Sequence, residues 1–154
     1  MIALSLAEIA AVVGGDLRLA GSSTADTVVD GVVDTDSRNM VPGSVFVAKP
    51  GAETDGHRFV GSALAAGAAL AIVEHAVDDE ITQIIVPDVI VALADLAREV
   101  VARVRAAGDL KIVGITGSNG KTTTKNFLAR ILADEGETVA PINSYNNEAV
   151  SYTH

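Results

Sequence analysis

The stretch GITGSNGKTTTK, residues 114–125, decides the fold of the second part of the chain. It ends an apolar run at residues 111–116 and opens a helical pattern that extends to residue 135. Its glycines leave backbone N–H groups available to surround a phosphate, Lys121 offers a cation to the β- and γ-phosphates, and the Thr122 hydroxyl can ligate Mg²⁺. The positive end of the helix dipole adds to this attraction. The stretch therefore predicts a strand, a phosphate-binding loop and a helix, with ATP and Mg²⁺ as the expected cofactors.

The loop departs from the general pattern G-x-x-x-x-G-K-[ST] at one position. That pattern asks for glycine where this chain has Ile115, and the neighbouring glycines are Gly114 and Gly117. The alternative is a glycine-rich turn followed by a chance Lys-Thr pair, and the strand and helix on either side argue against it. We predict Lys121 as a catalytic residue and Thr122 as the metal ligand. The predicted ATP-binding residues are Thr116, Gly117, Ser118, Asn119, Gly120, Lys121, Thr122 and Thr123.

Composition and charge exclude several classes of protein. Of the 154 residues, 49% are apolar and 20% charged, which is enough apolar material for a packed core. Cysteine is absent, so disulfides, thiolate metal sites and a cysteine nucleophile are excluded. The net charge of −9 argues against a general nucleic-acid binder and against a polybasic membrane-surface protein. The first residues lack a basic segment, and the apolar run at residues 63–73 is well short of the roughly 20 residues of a membrane span. We therefore expect a cytoplasmic location.

The remaining patterns predict two α/β domains with a boundary at Gly108-Asp109. Residues 1–108 would form a small N-terminal domain, and residues 109–154 would begin a doubly wound parallel domain that is incomplete. In the first domain we predict helices at residues 6–13, 57–66 and 89–107 and strands at residues 16–19, 28–33, 45–48, 69–73 and 84–86. In the second, predicted strands at residues 111–116 and 138–142 flank a helix at residues 121–135.

Motifs in both parts resemble the Mur ligases, the ATP-dependent amide-forming enzymes of peptidoglycan precursor synthesis. That family carries T-G-[ST]-x-G-K-[ST] directly after its strand, as residues 116–122 do, and Lys125 after three threonines is similar to the branch that adds D-alanyl-D-alanine. Upstream, DSR at 36–38, PGSVFVA at 42–48 and DGHRF at 55–59 resemble, in order and spacing, the pattern of the family's UDP-binding domain. Ser44 stands where the family usually has Asp.

The resemblance implies a UDP-substrate site formed by Ser37, Arg38, Asp55, Gly56 and His57. Ser37 can hydrogen-bond uracil or ribose edges, and the Arg38 guanidinium is a bidentate donor suited to a diphosphate. Asp55-Gly56 is typical of a turn that caps the following helix. The alternatives remain open that Asp55, like Asp36, only caps a turn and that His57 only bridges loops.

A third block, NSYNNE at residues 143–148, is similar to an N-x-x-N-N-[ED] stretch of the pentapeptide-forming ligases. This makes Asn146 and Asn147 candidate contacts to phosphate and acceptor substrate. The family continues with an Ile/Leu-Gly-x-Pro segment, whereas this chain continues with AVSY at residues 149–152. An ordinary Asn-rich turn is the alternative.

The resemblance implies an enzyme that joins D-alanyl-D-alanine to UDP-N-acetylmuramoyl-tripeptide through an acyl phosphate, in the service of cell wall biogenesis, cell shape and cell division. The implied fold is a small α/β UDP-binding domain followed by the first strand–loop–helix–strand unit of the central domain. The implied partners are the UDP-muramoyl-peptide, D-alanyl-D-alanine and ATP, with no nucleic acid, no membrane insertion and a monomeric state.

These 154 residues are expected not to catalyse ligation alone, since the family also needs a downstream acidic metal ligand, a carbamylated lysine and a C-terminal domain. Three other interpretations stay open. They are the tripeptide-forming relative, a non-catalytic module that binds a UDP-sugar-peptide, and a plain phosphate-loop kinase. The kinase leaves the first 108 residues unexplained.

Overall fold

The computed structural model describes residues 1–51, 54–108 and 110–140. Its centre is a five-stranded sheet in the spatial order β2-β7-β6-β5-β4, and a separate two-stranded pair joins β1 to β3. The four strands β4 to β7 run parallel, whereas β2 is antiparallel to β7 and β1 to β3. The strands are β1 Leu4–Ser5, β2 Asp16–Arg18, β3 Val28–Val29, β4 Val33–Asp34, β5 Ser44–Val47, β6 Ala68–Val73 and β7 Thr82–Ile85. The predicted α/β class with a parallel sheet is confirmed.

Helices cover both faces of the five-stranded sheet. Helices α1 (Leu6–Val13) and α3 (Val89–Ala107) share one apolar core with the sheet, and α2 (Val60–Ala65) shares the other. Two 3₁₀-helices, Ser37–Asn39 and Gly56–Phe59, precede β5 and α2 respectively. The result is the three-layer arrangement in which a parallel sheet is buried on both sides.

Strand β5, which lies between β6 and the edge strand β4, and the residue that follows it show how the sequence divides between the two cores. Val45 and Val47 pack in the core beneath α1 and α3, whereas Phe46 and Ala48 pack in the core beneath α2. All four are fully buried. Because side chains alternate between the faces of a strand, an unbroken apolar run is what a strand covered on both sides requires.

Helix α1 begins and ends where its sequence predicts. The Ser5 hydroxyl accepts a hydrogen bond from the Glu8 N–H at 3.2 Å, and the Glu8 carboxylate accepts one from the Ser5 N–H at 2.9 Å. This is a capping box. Gly14, at φ +62°, ends the helix in the left-handed conformation that glycine adopts without steric cost. Helix α3 matches its predicted range, with the Asp88 carboxylate accepting from the N–H groups of Ile90 and Val91.

Two predictions in the first part of the chain are wrong in detail. The predicted strand at residues 28–33 is divided, because β3 pairs with β1 whereas β4 pairs with β5 in the other sheet. Gly31 lies between them, so close to another loop that an added Cβ would be 2.2 Å from the Gly43 carbonyl oxygen. The predicted helix at 57–66 is a 3₁₀-helix followed by α2, and Gly67, at φ +104°, follows it.

In the second part, the helix forms, whereas the described residues of the two strands predicted beside it are not in strands. Helix α4 (Lys121–Leu132) begins at the predicted residue and ends three residues early. Residues 111–116 form no strand, nor do residues 138–140, and the rest of the second predicted strand lies outside the described residues. The physical reason is that a strand needs a hydrogen-bonded neighbour, and none of the described residues supplies one.

Helix α4 buries none of its residues, and its apolar side chains Phe127 and Ile131 are 66% and 64% exposed. The boundary at residues 108 and 109 stays a prediction, since α3 ends at Ala107 and Asp109 is not described. Across the described ranges, no helix combines the length and apolar character needed to cross a membrane.

Candidate functional site

The candidate substrate site lies at the carboxyl edge of the five-stranded sheet. Strands β4, β5 and β6 are neighbours and run parallel, so the segments that follow them emerge at the same edge. Ser37 and Arg38 follow β4, Asp55 to His57 come between β5 and α2, and Glu74 follows β6. In open parallel sheets, ligands bind in the crevice outside the carboxyl ends of the strands. The fold thus brings to one edge two motifs that are separated by 16 residues in the sequence.

In the loop after β4, two carboxylates organise the backbone and the arginine. Asp36 accepts hydrogen bonds from the Arg38 backbone N–H at 3.0 Å, from Nε at 2.8 Å and from Nη2 at 2.6 Å. These bonds, the side-chain ones foremost, lower the pKa of Asp36 to about 2, and Asp36 raises the pKa of Arg38. Asp34 also stabilises the loop, because its carboxylate accepts hydrogen bonds from the Asp36 backbone N–H and from the Asn39 side-chain amide.

Arg38 is oriented by Asp36 but remains open to a ligand. Its side chain is 85% exposed, and the ion pair uses only the Nε–Nη2 edge of the guanidinium. The Nη1 group and the second Nη2 proton remain able to donate to an anion. Ser37, the first residue of the 3₁₀-helix, is half-buried beside it.

Gly56 has a steric role in the loop after β5. A Cβ at this position would lie 2.5 Å from the Lys49 carbonyl oxygen and 2.8 Å from the Ala48 carbonyl carbon, both backbone atoms. The Gly56 N–H donates to that same Lys49 oxygen at 3.1 Å. The two ends of the loop therefore touch through their backbones at a position that only glycine fits. Residues 52 and 53 within this loop are outside the described residues.

His57 is buried, and both of its ring nitrogens are hydrogen-bonded within the protein. Nε2 lies 2.9 Å from the backbone nitrogen of Glu74, whose N–H can only donate, so Nε2 must be the unprotonated acceptor. Nδ1 therefore carries the proton and donates to Asp55 Oδ1 at 2.6 Å. The same oxygen accepts the His57 backbone N–H at 3.0 Å. These bonds, the backbone one first, lower the pKa of Asp55. This geometry favours the interpretation that His57 bridges loops.

Asp55, His57 and His75 also lie close enough together to suggest a metal site, with ligand atoms all within 4.8 Å of one another. The hydrogen bonds argue against it. A metal on His57 Nδ1 would move the proton to Nε2, directly opposite the Glu74 N–H, and a metal on Nε2 would displace that N–H. These residues do not fit a metal ion.

Sequence reasoning missed Glu74 and His75. Besides its backbone bond to His57, Glu74 accepts a hydrogen bond through Oε1 from the Val89 N–H at the start of α3, at 3.2 Å. The His75 ring stacks on that of His57 with centroids 3.9 Å apart. The signal available in the sequence was position, since both residues directly follow the predicted strand at 69–73 and so belong to the same carboxyl edge as the two motifs.

The glycine-rich loop before α4 contains two glycines in backbone conformations that favour glycine. Gly117 and Gly120 have φ angles of +150° and +79°, a region that other residues rarely adopt. Gly120 caps α4 without a side-chain hydrogen bond, and the first bond inside the helix runs from the Thr124 N–H to the Gly120 oxygen. N–H groups of a first helical turn have no partner within the helix, which is why such ends bind anions. The predicted ATP-binding residues thus form one exposed loop and helix start.

Lys121 Nζ donates to the Gly117 carbonyl oxygen, so the lysine folds back across this loop. A bound phosphate would replace that carbonyl as the partner of the ammonium group. Thr122, the predicted metal ligand, occupies the first turn of α4 and offers an oxygen of the kind that Mg²⁺ prefers. The loop residues therefore fit ATP with Mg²⁺.

A cavity of about 670 Å³ lies elsewhere on this part of the chain, between residues 110–115 and the side of α4 that carries Leu128 and Leu132. Its lining includes Lys125 but none of residues 116–122, so it is separate from the phosphate loop. Asn146 and Asn147 lie outside the described residues.

Comparisons with known proteins agree across both parts of the chain. A family model described as "Mur ligase family, catalytic domain" matches residues 31–107, and one described as "Mur ligase middle domain" matches residues 115–153. The UDP-N-acetylmuramoyl-tripeptide–D-alanyl-D-alanine ligase of Mycobacterium tuberculosis is 42% identical over 96% of this chain. The chain spans only 33% of that relative, about a third of its length.

Solved structures give the same result. The UDP-N-acetylmuramoylalanyl-D-glutamyl-2,6-diaminopimelate–D-alanyl-D-alanyl ligase of Acinetobacter baumannii aligns with a TM-score of 0.68 at 33% identity, covering 86% of this chain and 28% of its own. The MurF ligase of Thermotoga maritima, solved in complex with ADP, aligns with a TM-score of 0.54 at 36% identity, covering 68% and 23%. With one family model covering half of the residues and a second matching the phosphate loop that follows, the chain belongs to the Mur ligase family.

Proposed function

We propose that these residues belong to an ATP-dependent ligase that joins D-alanyl-D-alanine to UDP-N-acetylmuramoyl-tripeptide through an acyl phosphate. The observation that carries the proposal is the meeting of the Ser37-Arg38 and Asp55–His57 loops at one carboxyl edge, upstream of a phosphate loop and its helix. The identity to the Mycobacterium tuberculosis ligase of that name, over nearly the whole chain, supports the same substrate.

In this proposal residues 1–108 are the domain that binds the UDP-muramoyl-peptide. Arg38, held by Asp36, meets the diphosphate with its outer guanidinium edge, because a bidentate donor of fixed orientation suits two phosphate groups. Ser37 contacts the nucleoside. Gly56 and His57 shape the loop that faces it.

Residues 109–154 would begin the ATP-binding domain. The amides of the loop and of the first turn of α4 bind the β- and γ-phosphates, and Lys121 exchanges the Gly117 carbonyl for a phosphate oxygen. Magnesium held at Thr122 would supply charge neutralisation on those phosphates. Positioning and electrostatics are what this loop contributes to transfer of a phosphoryl group. Asn146 and Asn147 remain candidates for contacts to phosphate and acceptor substrate.

The same proposal includes a cytoplasmic location, a monomeric state and a role in cell shape and cell division. Because the chain spans a third of its relatives, we expect it to bind substrates without ligating them. Release of ADP that depends on both the tripeptide substrate and D-alanyl-D-alanine would contradict this expectation.

Calorimetric titration of the chain with UDP-N-acetylmuramoyl-tripeptide tests the substrate site. We expect binding in the wild type and a loss of about 10- to 150-fold in affinity on Arg38→Ala, since hydrogen bonds to charged groups contribute about 1.5–3 kcal/mol. Arg98→Ala is the matched control. Arg98 also pairs with a nearby aspartate, but on the exposed surface of α3. Equal affinity in the Arg38 and Arg98 variants would exclude Arg38 from the site.

Two further titrations separate the alternatives. The tripeptide-forming relative would prefer UDP-muramoyl-dipeptide over the tripeptide. A non-catalytic module would bind the UDP ligand without binding ATP. We expect ATP to bind in the presence of Mg²⁺ and Lys121→Ala to weaken it, with Lys111→Ala, an exposed lysine outside the loop, as the control.

A further inference from the structure

The described residues at the carboxyl edge contain a chain of hydrogen bonds that runs from the loop after β5 to the start of α3. Asp55 Oδ1 accepts from His57 Nδ1–H, His57 Nε2 accepts from the Glu74 N–H, and Glu74 Oε1 accepts from the Val89 N–H. Its middle member is buried, with His57 only 6% exposed. These hydrogen bonds connect three separate segments of the backbone, so they fix the relative positions of those segments.

Asp55, at one end of this series of hydrogen bonds, is much more exposed than His57 in its middle. The Asp55 side chain is 46% exposed, and both of its hydrogen bonds go to Oδ1. No described residue hydrogen-bonds Oδ2. The carboxylate is therefore oriented by one oxygen and presents the other at the edge where the substrate motifs meet.

We propose that His57 and Glu74 are positioning residues, and that Asp55, through Oδ2, is the group in this motif that contacts the ligand. The inference rests on the proposed function, and it changes which residues of the site contact the ligand and which only position others. His57 does not contact the ligand. Glu74, which no motif indicated, affects ligand binding indirectly, by holding the His57 ring.

The charge of Asp55 decides which part of a nucleotide it meets. The His57 N–H groups lower its pKa and keep the carboxylate ionised. An ionised carboxylate accepts hydrogen bonds and repels phosphate. Its partner must therefore be a donor, a ribose or sugar hydroxyl or the imide N–H of a pyrimidine, and the diphosphate is left to Arg38.

Long-range ¹H–¹⁵N correlation spectra of the ¹⁵N-labelled chain test the positioning role of His57 without any ligand. We expect the His57 ring to be the Nδ1–H tautomer, with exposed His75 as the internal comparison. A His57 ring whose neutral form carries its proton on Nε2 would overturn the positioning role.

The Asp55→Asn substitution tests whether Asp55 contacts the ligand through Oδ2. Asparagine keeps the oxygen that accepts from His57 and replaces Oδ2 with an NH₂ donor, so the fold and the His57 tautomer should be retained. We expect affinity for UDP-N-acetylmuramoyl-tripeptide to fall about tenfold or more, because an ionic acceptor becomes a donor facing another donor. Unchanged affinity would overturn the contact. A wild type that does not bind this ligand would refute the proposed function and this contact, while the tautomer result would stand by itself.

Two substitutions of His57 separate positioning of Asp55 from a purely structural role. Asparagine places an amide donor near the position of Nδ1, whereas glutamine places its amide carbonyl near the position of Nε2. If His57 acts through Asp55, His57→Asn retains more affinity than His57→Gln even where their stabilities are equal. The reverse order would overturn the positioning role.

Discussion

Replacing Gly56 with alanine tests whether the loop after β5 is held by backbone contact. The added methyl group would lie 2.5 Å from the Lys49 carbonyl oxygen, 2.7 Å from the Lys49 nitrogen and 2.8 Å from the Ala48 carbonyl carbon. All three are backbone atoms next to a buried strand, so no side-chain rotation can relieve the clash. The loop has to move, and the 3.1 Å hydrogen bond from Gly56 to Lys49 lengthens with it.

The expected loss of unfolding free energy follows from two opposing effects. Overpacking at such a contact costs about 1–3 kcal/mol. Loss of glycine's freedom in the unfolded chain offsets about 0.4–1 kcal/mol of this. The net destabilisation of about 1–2 kcal/mol corresponds to a fall of roughly 5–15 °C in Tm for a domain of this size.

Urea denaturation and a thermal scan measure the effect, with Gly108→Ala as the matched control. Gly108 has extended backbone, and among the described residues no atom beyond its chain neighbours lies within 4 Å of an added Cβ. Its substitution should therefore be neutral or slightly stabilising. Because Asp55 and His57 flank Gly56, the Gly56 variant should also bind UDP-N-acetylmuramoyl-tripeptide more weakly. If Gly56→Ala were as stable as the Gly108 variant, the loop would not be held by this contact and the reasoning would be refuted.

Three other measurements test the packing and electrostatics. The pKa of Glu8 is lowered from its ordinary value of 4.5 to about 2, mainly by the hydrogen bond from the Ser5 backbone. The stabilisation that ionised Glu8 provides is therefore present above about pH 4.5 and is lost as pH falls towards 2. Glu8→Gln should therefore be less stable than the wild type near neutral pH, and a gap of the same size near pH 2 in denaturation curves would contradict this. Ile72→Val should cost about 1 kcal/mol in urea denaturation because Ile72 is fully buried, whereas Ile112→Val, at a 61% exposed site, should cost almost nothing; equal losses would contradict the burial. Amides of α4 should exchange with solvent faster than those of β6, since α4 buries no residue, and equal protection would show that α4 is packed.

Local chemistry in the sequence was sufficient for the elements whose ends depend on neighbouring residues. The Ser5–Glu8 pair and Gly14 fix α1 within a single short segment, and the amphipathic pattern of residues 89–107 predicts α3 to the residue. The apolar run at 45–48 predicts a strand buried on both sides, because its alternate side chains must enter two cores.

The sequence likewise determined the motifs, the family to which they point, and the phosphate loop that ends where α4 begins. Only the tertiary structure decided how residues distant in sequence meet. It divided residues 28–33 between two sheets and placed the Glu74 N–H on the His57 ring. It also gave residues 111–116 no paired neighbour within the part of the chain that the structure describes. Strand pairing and a histidine's tautomer depend on which backbone lies opposite, and no local pattern carries that information.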